Sequence, residues 1–195
     1  MKSFRLIIEP IVLAVALALV ARAFVHLYTI PSASMMPTLA PGDHILVTPY
    51  AANAQPQRGD VIVFRRGEMV LVKRVVATQG DLIASRLGRV VIGGKSIVEP
   101  YVAKQGTSGA IDPQIVPHDC YFVLGDNRTN SLDSRSWGVL PRSAIIGRAR
   151  MVLWSSSHSH GGNVADAVEK SNAPNDAATN EAAPPAGLRL FRPIG

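Results

Sequence analysis

The run MVLVKRVVATQGD, Met69 to Asp81, is dense in valine and carries two cations at its centre. β-Branched side chains fit a pleated, half-buried surface better than a helix. Gly80-Asp81 is a turn signal that ends the run. Side chains alternate along a strand, so Lys73 shares a face with Leu71 and Val75 while Arg74 takes the other face. One of the two cations therefore points into an apolar environment, unless the run is an edge strand and Lys73 faces water.

The neighbouring segments have the same character. HILVTPY (44–50) and DVIVFRR (60–66) are short β-branched runs bounded by the turn signals APGD and QRGD. RVVIGGKSIV (89–98) reads as a hairpin across Gly93-Gly94. YFVLGDN (121–127) and IIGRARMVLW (145–154) supply two more strands, and no long amphipathic helix follows residue 30. The pattern predicts a mainly β fold of bent antiparallel sheets rather than βαβ units.

The chain has 195 residues, of which 47% are hydrophobic. Mean hydropathy is +0.18, and the apolar excess is concentrated in the first 30 residues. Residues 6–28 read LIIEPIVLAVALALVARAFVHLY. The uninterrupted apolar core, Ile11 to Ala21, is short for a span of roughly 20 residues. Its flanks, Leu6 to Ile8 and Ala23 to Tyr28, extend it at the cost of Glu9, Arg22 and His26, whose charged ends can reach the interface. A cleaved signal sequence is the competing reading, with Lys2 and Arg5 ahead of it and Ala21-Arg22-Ala23 imitating a small-x-small site. The apolar stretch runs past that site, which favours an uncleaved transmembrane helix with the N-terminus cytoplasmic.

Net charge is +6, but no run of five basic residues occurs and aromatics make up 6%. Beside an apolar anchor, membrane lipid explains that charge more simply than nucleic acid, which is not expected as a partner. Cys120 is the only cysteine, so no internal disulfide exists. No C-x-x-C, H-E-x-x-H or phosphate-binding glycine loop occurs, so neither metal nor cofactor is expected. The expected organisation is an anchor over 1–29, a β-rich domain over 30–154, a flexible loop over 155–186 and a C-terminal segment, 187–195, packing on the domain or the membrane surface.

IPSASMMPTLAPGD, Ile30 to Asp43, directly follows the apolar segment. Pro31 fixes its own φ, and Pro37 restricts Met36, so Ser32 and Ser34 sit in stiff backbone. A serine hydroxyl needs a base to become a nucleophile. No G-x-S-x-G elbow is present. A lysine serves as base if burial lowers its pKa toward neutral, and Lys73 is the candidate. GDNRTNSLDSRSWG, Gly125 to Gly138, is the third informative stretch. Asp126, Arg128, Asp133 and Arg135 are expected to form a partly buried ion-pair network, and Ser131 to orient a lysine by a hydrogen bond. The plain alternative is a polar loop stabilised by Asn and Asp.

Together these stretches resemble the bacterial type I signal peptidases, membrane-anchored serine endopeptidases with a Ser/Lys dyad. PSASMMPTL (31–39) resembles the family's nucleophile box, RGDVIVF (58–64) its second, VKRVVATQGD (72–81) its lysine box and GDNRTNSLDSRSWG its last. GLRLFRPIG resembles the ending of some members. The resemblance implies Ser34 as nucleophile, Lys73 as general base, and an oxyanion hole made by Ser32 Oγ and the Ser34 amide. It implies Ser131 as the partner of the Lys73 ammonium, with Asp133 and Arg135 supporting the loop. Ile30, Met35, Leu39, Leu71 and Val72 would line shallow pockets for Ala-x-Ala sites, with the substrate added as a strand. It further implies signal peptides of exported preproteins as substrates, proximity to the secretion translocon, and a catalytic domain on the outer face of the cytoplasmic membrane. The fold implied is the signal-peptidase type, with one transmembrane helix and a small cap inserted in 82–121. Leu71 stands where the family often has an aromatic residue, and Thr129 where it often has an acidic one. A specialised maturation peptidase of a conjugative transfer system shares the dyad, and a non-catalytic membrane-anchored domain that captures secreted chains is the non-enzymatic alternative. Self-cleaving repressors use the same dyad but carry DNA-binding helices, which have no counterpart here.

Overall fold

The computed structural model describes residues 9–15, 25–102, 109–155 and 192–194. Two antiparallel sheets make up the described part. The larger runs in the order β1-β2-β11-β3-β4-β9-β10, with β12 against β11. Its strands are β1 His26–Thr29, β2 Asp43–Thr48, β3 Val61–Arg66, β4 Met69–Thr78, β9 Cys120–Leu124, β10 Leu140–Pro141, β11 Ile145–Ser155 and β12 Arg192–Pro193. The smaller sheet is ordered β7-β6-β5-β8. It comprises β5 Leu82–Arg86, β6 Arg89–Ile92, β7 Lys95–Ser96 and β8 Gln114–Ile115.

β3 and β4 show why the large sheet is stable. β3 buries four successive residues, Val61 to Phe64. Val61 and Val63 join Ile30, Met35, Leu39, Ile45, Val47, Ala149 and Val152 in one core. Ile62 and Phe64 join Val75, Tyr121, Val123 and Leu140 in another on the opposite face. Both faces are covered, so this strand reads as a continuous apolar run and not as an alternating one. Register shifts in β11, at Ala149/Met151 and Val152/Trp154, increase its local twist and bend. A third core, with Val76, Ala77, Ile83, Val90 and Phe122, lies between the two sheets.

The small sheet falls within residues 82–121, the span in which a cap was expected, and its hairpin turns at Gly93-Gly94, both at positive φ, with Ile92 opposite Lys95. It is tighter than anticipated, because Cys120 and Tyr121 belong to β9 of the large sheet. At the N-terminus, residues 9–15 form helix α1. Among the described residues no helix is long and apolar enough to cross a membrane. The expected anchor falls mostly outside the described residues. Its distal flank does not: His26 to Tyr28 are in β1, paired with Ile45 to Val47, so the sheet begins before residue 30. Most of the loop expected over 155–186 also lies outside the described residues, whereas Ile194 packs into the first core.

Candidate active site

Ser34 sits in a single 3-10 turn, Ala33–Met35, directly after Ser32, whose backbone is extended. Three contacts hold that turn. The Asn127 amide donates to the Ser34 carbonyl at 3.0 Å. The Asn127 side chain donates to the Ala33 carbonyl at 3.1 Å. The Leu39 amide returns to the Met35 carbonyl at 2.9 Å.

Lys73 enters from the middle of β4, where its Nζ lies 2.7 Å from Ser34 Oγ. The same nitrogen donates to the Val72 carbonyl at 3.0 Å. Lys73 is 3% exposed. Burial pushes its pKa below the ordinary lysine value, against the pull of the Asp133 and Asp126 carboxylates, with Arg135 adding to the lowering. Desolvation penalises the ammonium, and no carboxylate approaches it within ion-pair distance among the described residues. A neutral amine beside a serine hydroxyl is a competent base–nucleophile pair. Ser32 Oγ is 3.2 Å from Ser34 Oγ.

Arg74 is buried too, on the opposite face of β4. It binds Asp126 in a two-pronged pair, Nε–Oδ1 2.9 Å and Nη2–Oδ2 2.7 Å, and donates to the Gly59 carbonyl. The expectation that only one of the two cations would be buried is therefore corrected: both are, and their environments differ. The acidic and basic residues of the last stretch likewise do not pair only with one another, since two of them take partners from outside it. Asp126 pairs with Arg74, Arg128 with Glu99, and Asp133 with Arg135.

Asp133 caps helix α2, Ser134–Trp137, by accepting the Arg135 amide, and also accepts the Gly125 amide at 3.0 Å. Burial opposes its charge, but hydrogen bonds from Arg135 and Gly125 outweigh that and hold the carboxyl below the usual aspartate range. Arg135 reaches on to the Arg128 carbonyl at 2.8 Å. Ser131 lies in the site, where its hydroxyl helps to hold the Asp133 carboxylate ionised, and among the described residues no hydrogen bond joins it to Lys73. It packs against Gly125 instead. A Cβ on Gly125 would lie 2.3 Å from Ser131 Oγ and 2.5 Å from the Ser34 carbonyl oxygen, so only glycine fits there.

A cleft of about 100 Å³ opens beside Ser34 and Lys73. Ile30, Met35, Leu71 and Val72 line it, together with Tyr28, Thr29, Pro31 and Val70. Leu39 is not in its wall. The turn that follows Pro37 directs Leu39 into the first core, where it is fully buried. Tyr28 was missed because its segment read as membrane anchor. Glu99 and Tyr101 were missed because nothing in VEPYV marks them in sequence.

The signal peptidase, peptidase S26 family model matches residues 4–154. The chain belongs to that family. It is 40% identical over 159 residues to signal peptidase I of Leptolyngbya laminosa, covering 75% of this chain and 78% of that protein. It is 36% identical over 156 residues to probable signal peptidase I-2 of Synechocystis sp., covering 75% and 71%. Signal peptidase I S of Bacillus subtilis is 34% identical over 159 residues, covering 75% and 86%. The family match spans the small sheet, the large sheet apart from β12 and the last residue of β11, and all four sequence boxes.

Proposed function

We propose that this protein is a membrane-anchored serine endopeptidase that removes N-terminal signal peptides from exported preproteins, with Ser34 as nucleophile and Lys73 as general base. The observation that carries the reading is the 2.7 Å approach of a buried lysine amine to a serine hydroxyl at the edge of an apolar cleft. Neutral Lys73 takes the Ser34 proton as Oγ attacks the scissile carbonyl. The resulting ammonium returns the proton to the departing amine, leaving an acyl-Ser34. Lys73, neutral again, deprotonates a water that releases the signal peptide and regenerates the serine.

The oxyanion that forms in each half-reaction would be held by the Ser34 amide and Ser32 Oγ. Aimed donors of this kind are each worth roughly 3 kcal/mol. The substrate would enter as an added strand. β9 pairs only with Arg74 to Thr78 of β4, so on that side Met69 to Lys73 have no strand opposite among the described residues. The cleft volume suits small P1 and P3 side chains, consistent with Ala-x-Ala sites. A helix from the N-terminal apolar segment would tether the domain to the cytoplasmic membrane, with the catalytic face outward and near the translocon. Ser34 stands a few residues beyond that segment, at the depth where a membrane-tethered signal peptide ends its own apolar stretch.

The test is cleavage of a purified preprotein carrying an Ala-x-Ala site in detergent micelles, with Ser34→Ala and Lys73→Ala in parallel. Cleavage after the final Ala by the wild type, with both variants inert, is the expected result. Cleavage by Ser34→Ala would rule out the assigned nucleophile.

A further inference from the structure

The active-site loop is held from the side of the small sheet as well as from its own. Glu99, Pro100 and Tyr101 follow the small sheet's last hairpin in the chain and belong to neither sheet. Both Glu99 carboxylate oxygens accept from the Arg128 guanidinium, one of them from Nη1 at 2.9 Å. Glu99 is 3% exposed and Arg128 is 4% exposed, so neither charge is solvated by water. Tyr101 Oη donates to Glu99 Oε1 at 3.0 Å. Burial, followed by the adjacent Glu99 charge, raises the Tyr101 phenol well above its ordinary pKa and keeps it a donor. The Tyr101 ring lies over the Arg74 guanidinium, 4.0 Å from carbon to ring centre.

Both arginines lead to the nucleophile. Arg128 Nε donates to the Gly125 carbonyl at 3.1 Å. Arg74 holds Asp126 with two hydrogen bonds. The next residue, Asn127, holds the Ala33 and Ser34 carbonyls. Three consecutive residues of the loop, 125 to 127, are therefore each fixed, two of them through arginines that residues 99 and 101 touch.

We propose that Glu99 and Tyr101 are positioning residues for the cleavage reaction: together they clamp Arg128 and Arg74 so that the 125–127 loop sets the Ser34 turn in its reactive geometry. This rests on Ser34 being the nucleophile. A backbone shift at Ser34 moves both Oγ and the amide aimed at the oxyanion. It leaves the apolar cleft, built mainly from residues 28–31 and 70–72, in place. The effect therefore falls on kcat and not on KM, which a role in fold stability alone does not produce.

The experiment is steady-state cleavage of a preprotein by the full-length chain in detergent, with rates referred to the folded fraction from circular dichroism. Glu99→Gln keeps the shape and removes the charge. It is expected to lower kcat about 10- to 100-fold, the scale of a sub-ångström to ångström misplacement, with KM within about twofold of wild type. Tyr101→Phe keeps the ring over Arg74 and loses the hydrogen bond, so a kcat loss of about fivefold is expected. The double variant Glu99→Gln/Arg128→Gln should be no slower than Arg128→Gln alone, since both changes open the same clamp. Wild-type kcat in folded Glu99→Gln, or a loss confined to KM, overturns the proposal. If Glu99→Gln fails to fold, Tyr101→Phe decides: a lowered kcat at unchanged KM supports the clamp, and wild-type kcat overturns it. A wild-type protein that cuts no preprotein is a different result, and it overturns the Ser34/Lys73 reading instead.

Discussion

Lys73 and Arg74 are neighbours on one strand, both at most 3% exposed, and they resolve the cost of a buried cation in opposite ways. Arg74 keeps its charge where Asp126 meets the guanidinium with two oxygens and the Gly59 carbonyl takes a further hydrogen. Lys73 has a serine hydroxyl and a single carbonyl as its close partners, and burial lowers its pKa. The guanidinium cannot lose its proton at any working pH, whereas an ammonium in an apolar site can. One face of β4 is thus a fixed electrostatic support, and the other holds an amine that can give up its proton.

The largest effect that tests this contrast is Lys73→Arg. It places a permanent cation where the proposed mechanism needs a neutral amine, and preprotein cleavage should fall about 10⁴-fold or more with the fold retained by circular dichroism. An active Lys73→Arg enzyme would erase the distinction between the two faces.

Breaking the supporting face comes next. Arg74→Met leaves the Asp126 carboxylate buried without its counter-charge, which should destabilise the domain by about 3–5 kcal/mol in chemical denaturation. Adding Asp126→Leu to that variant should recover part of the loss, because the stranded charge is removed. If Arg74→Met unfolds at the wild-type denaturant concentration, the pair contributes no support.

Gly125→Ala probes the join between the faces. The added methyl must displace Ser131 or the Ser34 carbonyl, with an expected fall in kcat of about 10- to 100-fold. Unchanged kcat would mean that the Ser34 turn tolerates movement.

The smallest effect is on stability against pH. Lys73 has its pKa lowered by folding, so the unfolded chain takes up a proton first as pH falls below the ordinary lysine value. Stability therefore decreases from that pH down to the folded-state pKa. Lys73→Met removes this penalty and should raise Tm at neutral pH by about 2–4 °C, while abolishing cleavage. Asp133 acts with the same sense in a lower pH window. Its carboxyl pKa is depressed by folding, so its contribution is complete above the ordinary aspartate range and is lost as pH falls through the folded value.

The strands were legible because valine and isoleucine runs between glycine turns have few other places to go. The Gly93-Gly94 hairpin was legible for the same local reason. Ser34 and Lys73 were legible as oddities, a serine between two prolines and a lysine among valines. The start of the sheet was not. His26-Leu27-Tyr28 continues the apolar composition of the segment before it, and only pairing with β2 marks it as a strand. Leu39 followed the same logic, since its distance from Ser34 along the chain does not reveal that the turn after Pro37 faces inward.

The sequence by itself determined that the protein is built of short antiparallel strands, that an apolar segment precedes them, and that a serine and a lysine stand out chemically. Those properties depend on residues within a few positions of each other. Tertiary structure alone decided which carboxylate meets which arginine, that Ser34 and Lys73 lie 2.7 Å apart across 39 positions, and that Glu99 reaches Arg128 from outside both sheets. Side-chain charge has no periodicity that names its partner. Partners are chosen by which groups the sheets exclude from water together, and a buried charge persists only where such a partner is waiting.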